Sequence, residues 1–231
     1  SDRIDIRIFS TLKLKEQVVQ QYDDNAIKKS LYERLLFIDN AIDIPQASVT
    51  ENEQLEVVFV GRGAPQKRIH LIASIAQMIH AAGDKIHFSF VGDVEKVINP
   101  ADLPFCKFYG NVNDERLMDK IYRQSDVLIL TSAFEGLPIV VMTMMAYGKI
   151  VLSTAVNGIP DYIEHMKNGL LIYETEEIEI VNKGVELLRL LLLQPDLKIT
   201  LGKKNREVAI EKFSRAIFCK HYRGILVDKK K

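Results

Sequence analysis

The sequence predicts an α/β fold, a doubly wound parallel sheet with extra helices at its carboxyl end. From Leu55 onward, short apolar runs of strand length alternate with longer stretches whose apolar residues recur at helical spacing, which is the pattern of βα units. The 231 residues are 47% apolar, enough to bury a full core. The sequence has no run of about eighteen uncharged apolar residues, so we predict no membrane span within it.

Six strands of this sheet follow from the apolar runs, at 56–60, 85–91, 106–109, 126–130, 150–153 and 169–172. After the first strand, Ile69, Ile72, Ile75 and Ile79 recur on one face of a predicted helix. The last part of the chain has no further strand signal and predicts three helices, at 178–193, 197–210 and 213–226.

The first forty residues do not open a domain cleanly. They predict a strand at 4–9, a helix at 12–22 and a second strand at 34–39, before the segment FIDNAIDIP at 37–45. We therefore divide the chain into three parts, at 1–40, 41–212 and 213–231, of which the last is a carboxy-terminal helix with a basic tail.

A glycine turn follows the first strand of the large domain, in the run VVFVGRGAPQK. Gly61 permits a tight turn, Arg62 offers a planar fork for phosphate oxygens, and Lys67 adds a second positive charge five positions later. Two cations can offset the charge that builds on a departing diphosphate. The alternative is an ordinary surface turn with two solvated side chains.

Two further segments end at the same predicted sheet edge. Gly92 and Asp93 close the second strand, and Val112 lies in the segment GNVNDERL after the third. Parallel strands bring their carboxyl ends together, so these loops should border the crevice in which open α/β sheets bind ligands.

The stretch EGLPIVVMTMMAYG at 135–148 carries the strongest functional signal. It combines the acidic Glu135 with Gly136, Leu137 and Pro138 at a predicted helix start, directly after a buried strand and a short loop. The free N–H groups and positive dipole end of such a helix attract phosphate. Glu135 can accept hydrogen bonds from the hydroxyls of a sugar.

This stretch resembles the motif of the family 4 retaining glycosyltransferases of GT-B fold, in which two glutamates lie eight positions apart around Gly-x-Pro. The first falls on Glu135, and Thr143 stands at the position of the second. Segments at 37–45, 61–67, 110–117, 154–169 and 213–222 resemble further family elements in the same order.

The resemblance implies that 1–40 is a remnant of an amino-terminal domain with its linker. It implies that 41–212 is the Rossmann-like carboxy-terminal domain of such an enzyme, which binds the nucleotide-sugar donor. Arg62 and Lys67 would then bind the donor diphosphate, Glu135 would approach the transferred sugar, and Val112 would border the base. Thr143 would stand where the family binds the ribose. Gly61, Gly92, Asp93, Gly136, Leu137 and Pro138 would complete the donor site.

The implied activity is transfer of a sugar from a nucleotide diphosphate sugar to an acceptor saccharide or lipid-linked saccharide, in cell-surface polysaccharide or lipopolysaccharide synthesis. We expect no cofactor, no metal and no nucleic-acid partner. The fragment by itself should be inactive, because most of an amino-terminal domain is missing from it.

Cys106 and Cys219 lie far apart and indicate a reducing cytoplasm. From Lys203 onward, ten Lys or Arg stand against three Asp or Glu, which would suit contact with the inner face of a membrane, although a solvated helix face is the simpler interpretation. Two rival functions stay open: a nucleotide-sugar epimerase of the same fold and a binding module without catalysis.

Overall fold

The computed structural model describes residues 7–9, 12–46 and 52–227. Its main sheet has six parallel strands, which are β3 (Leu55–Val60), β4 (Ile86–Val91), β5 (Lys107–Phe108), β6 (Val127–Leu130), β7 (Ile150–Thr154) and β8 (Leu170–Ile172). Each of these strands lies within two residues of its predicted bounds. The predicted doubly wound parallel sheet is confirmed.

The helices that alternate with these strands are α3 (Ile69–Ala82), α4 (Glu115–Gln124) and α5 (Ile139–Ala146). After β8 the chain forms α6 (Glu177–Leu193), α7 (Pro195–Phe213) and α8 (Arg215–Val227). The sheet order is β5-β4-β3-β6-β7-β8. The chain therefore winds outward in one direction from β3 and then in the other from β6, and the crevice between the two halves opens at the carboxyl ends of β3 and β6.

The core is built on the central strands, because both faces of the sheet are covered. All four residues of β6 and all five of β7 are buried. Continuous apolar runs of this kind are typical of parallel strands covered on both faces. The helices pack on this sheet and on one another, α3 against α6 and α5 against α7.

The amino-terminal part forms a small unit of its own. Strands β1 (Arg7–Phe9) and β2 (Leu35–Phe37) pair in parallel, and the helices α1 (Leu12–Gln20) and α2 (Asn25–Arg34) lie between them in the chain. The helix α2 was not predicted, because its sequence has little apolar periodicity. Its start had a local signal, since the Asp24 carboxylate accepts a hydrogen bond from the Ile27 backbone N–H at 3.2 Å. Residues 4–6 of the first predicted strand lie outside the described residues.

The segment after β2 is bound to the carboxy-terminal helices. The Ile42 backbone N–H donates to the Phe213 carbonyl at 2.9 Å, and Arg206 donates to the Pro45 carbonyl at 2.6 Å. Phe213, which we expected to open the last helix, instead ends α7 and is fully buried. The extended backbone of Ser214 interrupts the helix, so α8 begins only at Arg215. The division of the chain at residues 40 and 212 stays a prediction.

Candidate functional site

The candidate site lies at the carboxyl ends of the central strands, where the predicted residues from separate loops come together. The glycine turn after β3 leads into a short 3-10 helix, Pro65–Lys67, and then into α3. The loop 131–138 leads from β6 into α5. The backbone N–H of Ala133 donates to the Gln66 carbonyl at 2.8 Å, which joins the two segments directly.

The turns after β3, β4 and β5 are stacked against one another. Gly61 donates to the Val91 carbonyl at 3.0 Å, and Gly92 donates to the Gly110 carbonyl at 2.8 Å. Gly92 has a φ of 116°, and a Cβ added there would lie 1.9 Å from the Gly61 carbonyl oxygen. Only glycine fits this position, because other side chains would be both strained and in collision with backbone.

Asp93 fixes the same turns with its side chain. One carboxylate oxygen accepts from the Gly63 backbone N–H at 2.8 Å, and the other accepts from Lys96 at 2.5 Å. The hydrogen bond from Lys96, followed by that from Gly63, lowers the pKa of Asp93 to about 2. Asp93 is thus already engaged within the chain, and its predicted contact with a donor stays a prediction.

Lys67 and Glu135 form an ion pair between the two segments. Their side chains are only 14% and 7% exposed. Lys67 donates to Oε1 of Glu135, and the Ser132 hydroxyl donates to the same oxygen at 2.6 Å. No described group donates to Oε2 of Glu135, so this second oxygen is the one left to accept from a ligand. Both residues were predicted to lie in one site, but their direct contact was not predicted.

A set of hydrogen bonds that was not predicted from the sequence holds this pair in place. Arg68, at a left-handed φ of 45°, donates to the Thr131 carbonyl at 2.7 Å and to the Ser132 carbonyl at 3.1 Å. The Thr131 hydroxyl bonds back to the Arg68 carbonyl at 2.9 Å, and Thr154 donates to the Ser132 carbonyl at 2.7 Å. The sequence feature that could have indicated these hydrogen bonds is the polar pair Thr131-Ser132, directly after a fully buried strand.

Arg62 differs from these residues because it is exposed. Among the residues that the structure describes, its side chain has no hydrogen-bond or ion-pair partner. It therefore offers all its donors to a ligand at the mouth of the crevice.

The helix α5 begins as the sequence predicts but with a different role for its proline. Pro138 is the residue just before the first turn, with an extended backbone, and its carbonyl accepts from the Val141 N–H at 3.0 Å. Gly136 is exposed and Leu137 is half-buried ahead of it. The N–H groups of Ile139 and Val140, the first two residues of α5, have no acceptor within the helix, so this end of α5 favours an anion.

The side chains of Thr143 and Val112 contact only groups of the chain itself. The Thr143 hydroxyl donates to the Ile139 carbonyl at 2.9 Å, one turn back on α5, and no hydrogen bond joins it to Glu135. Val112 packs its side chain partly against the core beside Gly110, which leaves its backbone as the part that can face a base.

In the described part of the chain, no group of three or more His, Cys, Asp or Glu residues could hold a metal ion. None of the helices there is long and apolar enough to cross a membrane.

Comparison with known proteins places this architecture in a family. The sequence profile described as "Glycosyl transferases group 1" matches residues 41–208, which is more than half of the chain. The chain belongs to the group 1 glycosyltransferases. The predicted resemblance to GT-B glycosyltransferases is thereby confirmed at the level of this group.

Two relatives of this glycosyltransferase chain illustrate the similarity. An uncharacterized glycosyltransferase of Methanocaldococcus jannaschii is 27% identical over 174 residues, 72% of this chain and 43% of the relative. The poly(ribitol-phosphate) alpha-N-acetylglucosaminyltransferase of Staphylococcus aureus is 26% identical over 192 residues, 79% of this chain and 37% of the relative. The chain thus spans less than half the length of either relative.

A solved structure shares the fold. The crystal structure of Anabaena HepE in complex with UDP-glucose superposes with a TM-score of 0.74 at 17% identity, over 96% of this chain and 63% of that protein. At this identity the likeness shows the fold alone.

Proposed function

We propose that this chain is the donor-binding part of a family 4 glycosyltransferase that moves a sugar from a nucleotide diphosphate sugar to an acceptor with retention of configuration. One observation carries the proposal: the sheltered Lys67–Glu135 pair lies at the switch point of the sheet, between the turn that holds Arg62, which has no side-chain partner among the described residues, and the start of α5. The site offers positive charge and backbone N–H groups for a diphosphate, and one carboxylate oxygen for a sugar hydroxyl.

Each group has a distinct task in this proposal. Arg62 binds the outer phosphate oxygens with its planar fork, and Lys67 contributes a point charge from the crevice floor. As the bond between sugar and phosphate breaks, negative charge builds on the departing diphosphate, and these two cations with the N–H groups of α5 stabilise it. Lys67 acts from a fixed position, because its ion pair with Glu135 holds it in place before the reaction.

Glu135 orients the sugar through Oε2. Its other oxygen is fixed by Lys67 and by the 2.6 Å bond from Ser132, so the carboxylate cannot rotate freely. Thr143 has no charge to offer a ribose, and we expect it to bind the donor's ribose more weakly than a glutamate would, by about 1.5 to 3 kcal/mol or ten- to a hundredfold in affinity. Val112 and Gly110 border the base.

The pathway, the acceptor and the cellular location are also proposals. A relative that acts on poly(ribitol-phosphate) supports a role in cell-surface polysaccharide synthesis, and lipopolysaccharide synthesis fits the same chemistry. We propose an acceptor saccharide or lipid-linked saccharide, a cytoplasmic location at the inner face of the membrane, and a reaction without metal. We propose that an amino-terminal domain completes the active site, so that the chain alone binds donors without turning them over.

Calorimetric titration of the chain with uridine, guanosine and adenosine diphosphates tests the proposal. One of the three should bind, and Arg62→Ala should weaken it by about ten- to a hundredfold, the loss of one charge-assisted contact. Arg223→Ala, at an exposed position on α8, is the matched control and should bind like the unaltered chain. Equal affinity in the two variants would refute the diphosphate assignment.

A further inference from the structure

A cavity of about 180 Å³ lies at the carboxyl ends of β6, β7 and β8, on the far side of the Glu135 loop from the glycine turns. Arg68 and Ala133 line it on the side of that loop, and Tyr173 and Glu174 line it after β8. Its volume is well above the roughly 10–15 Å³ that one water needs. It is below the roughly 300–1,000 Å³ of pockets for drug-sized ligands, so it suits a ligand of one ring.

The two charged side chains in this cavity both lack partners for part of their hydrogen-bonding capacity. Oε2 of Glu174 is shielded from solvent and accepts no hydrogen bond. Arg68 uses Nε and Nη2 to hold the Thr131 and Ser132 carbonyls, and its Nη1 donates to no described group. A shielded carboxylate oxygen without a donor destabilises the folded chain. A ligand hydroxyl in the cavity would supply the missing donor once the Glu174 side chain turns towards it.

The opposite charges indicate the class of ligand. An anion would meet Glu174 and a cation would meet Arg68, so a net charge of either sign is disfavoured. A neutral molecule with many hydroxyls satisfies both groups, because each hydroxyl is a donor and an acceptor.

The remaining lining is apolar, and the rim is aromatic. Ala155, Val156 and Ile172 line the wall, and the Tyr173 side chain at the rim is 64% exposed. An exposed ring of this kind offers a flat surface to the C–H face of a sugar ring, while its hydroxyl stays available to solvent.

The cavity also lies in line with the proposed donor site. Arg62 follows β3 and Gly92 follows β4, Glu135 follows β6, and the cavity spans β6 to β8. Neighbouring strands are about 4.8 Å apart, so β4 and β7 are separated by three spacings, about 14 Å. A nucleoside diphosphate bound between the turns after β3 to β5 and the start of α5 would therefore leave this cavity open for a sugar.

We propose that this cavity is a saccharide subsite that binds one sugar ring through Glu174, Arg68 and Tyr173. The inference rests on the proposed function, because it assigns a ligand to another part of the same crevice. The ring belongs either to the donor or to a separate acceptor saccharide, and both sources present the same hydroxyl-rich chemistry.

The test uses the full chain and measures two kinds of ligand separately. Saturation-transfer NMR reports binding of methyl glycosides of glucose, galactose and N-acetylglucosamine. Calorimetry compares each of the three nucleoside diphosphates with its glucose conjugate. Glu174→Gln and Tyr173→Ala are the test variants, and Glu179→Gln, an exposed glutamate in the first turn of the following helix α6, is the control.

We expect both test variants to weaken a saccharide ligand by about tenfold, the loss of one charge-assisted hydrogen bond or of the stacking surface, with no change in Glu179→Gln. If the glucose conjugate weakens while the bare diphosphate does not, the ring is the donor's. If only the methyl glycosides weaken, the ring is the acceptor's. Unchanged affinities for every saccharide ligand, or no saccharide binding at all, would overturn the subsite. Failure of the diphosphates to bind, with glycoside binding still dependent on Glu174, would overturn the donor assignment and leave the subsite standing.

Discussion

Replacing Lys67 by methionine should destabilise the chain strongly, because it leaves Glu135 sheltered without its cation. The two side chains are 14% and 7% exposed, so water cannot take the place of the ammonium group. Removing one partner of a buried pair costs about 3–5 kcal/mol. Since the Ser132 hydroxyl still donates to Glu135 in the variant, we expect the lower end, about 3 kcal/mol. At about 2–4 °C per kcal/mol for a domain of this size, the melting temperature should fall by roughly 6–12 °C.

Urea unfolding followed by far-UV circular dichroism measures this change, since the chain has no tryptophan for fluorescence. A double-mutant cycle with Glu135→Gln isolates the pair, and we expect a coupling energy of about 1–3 kcal/mol.

The exposed pair Lys204–Glu207, at 2.7 Å on α7, supplies the control. Lys204→Met should cost less than about 0.5 kcal/mol, because solvent screens that pair. Two results would refute the claim that the Lys67–Glu135 ion pair stabilises the folded chain. One is a Lys67→Met variant no less stable than Lys204→Met, and the other is a coupling energy near zero.

Three further predictions concern the turns and the loop around the pair. Asp93→Asn should destabilise the chain at neutral pH. Because the pKa of Asp93 is lowered to about 2, the stabilisation by its carboxylate is present above about pH 4 and is lost as the pH falls towards 2. The melting curves of the two proteins should therefore converge over that pH range. Gly92→Ala should cost about 3 kcal/mol or more in urea unfolding, whereas Gly83→Ala, with positive φ but open space around it, should cost about 1 kcal/mol; equal costs would contradict the backbone collision. Ser132→Ala removes one of two donors to Glu135, so calorimetry should show weaker binding of a nucleotide sugar but unchanged binding of its bare diphosphate, and a parallel loss of both would contradict a role directed at the sugar.

The alternation of apolar runs decided most of the fold, because burial on both faces of a parallel sheet forces continuous apolar strands. For that reason β6 and β7 fall close to their predicted bounds. The helix α2 was not predicted, and its local signal is the cap at Asp24. The described side chains of α2 are exposed or half-buried, so no buried apolar stripe marks this helix in the sequence.

The sequence by itself determined which residues are chemically suited to the site: Arg62, Lys67 and Glu135 follow strand ends, and parallel strands bring their ends to one edge. Only the tertiary structure decided how these groups are used. It pairs Lys67 with Glu135 across 68 positions, leaves Arg62 exposed, and engages Asp93 within the turns. The physical reason is that side-chain contacts between loops depend on the order of strands in the sheet and on backbone angles, such as the left-handed Arg68, that no local pattern encodes.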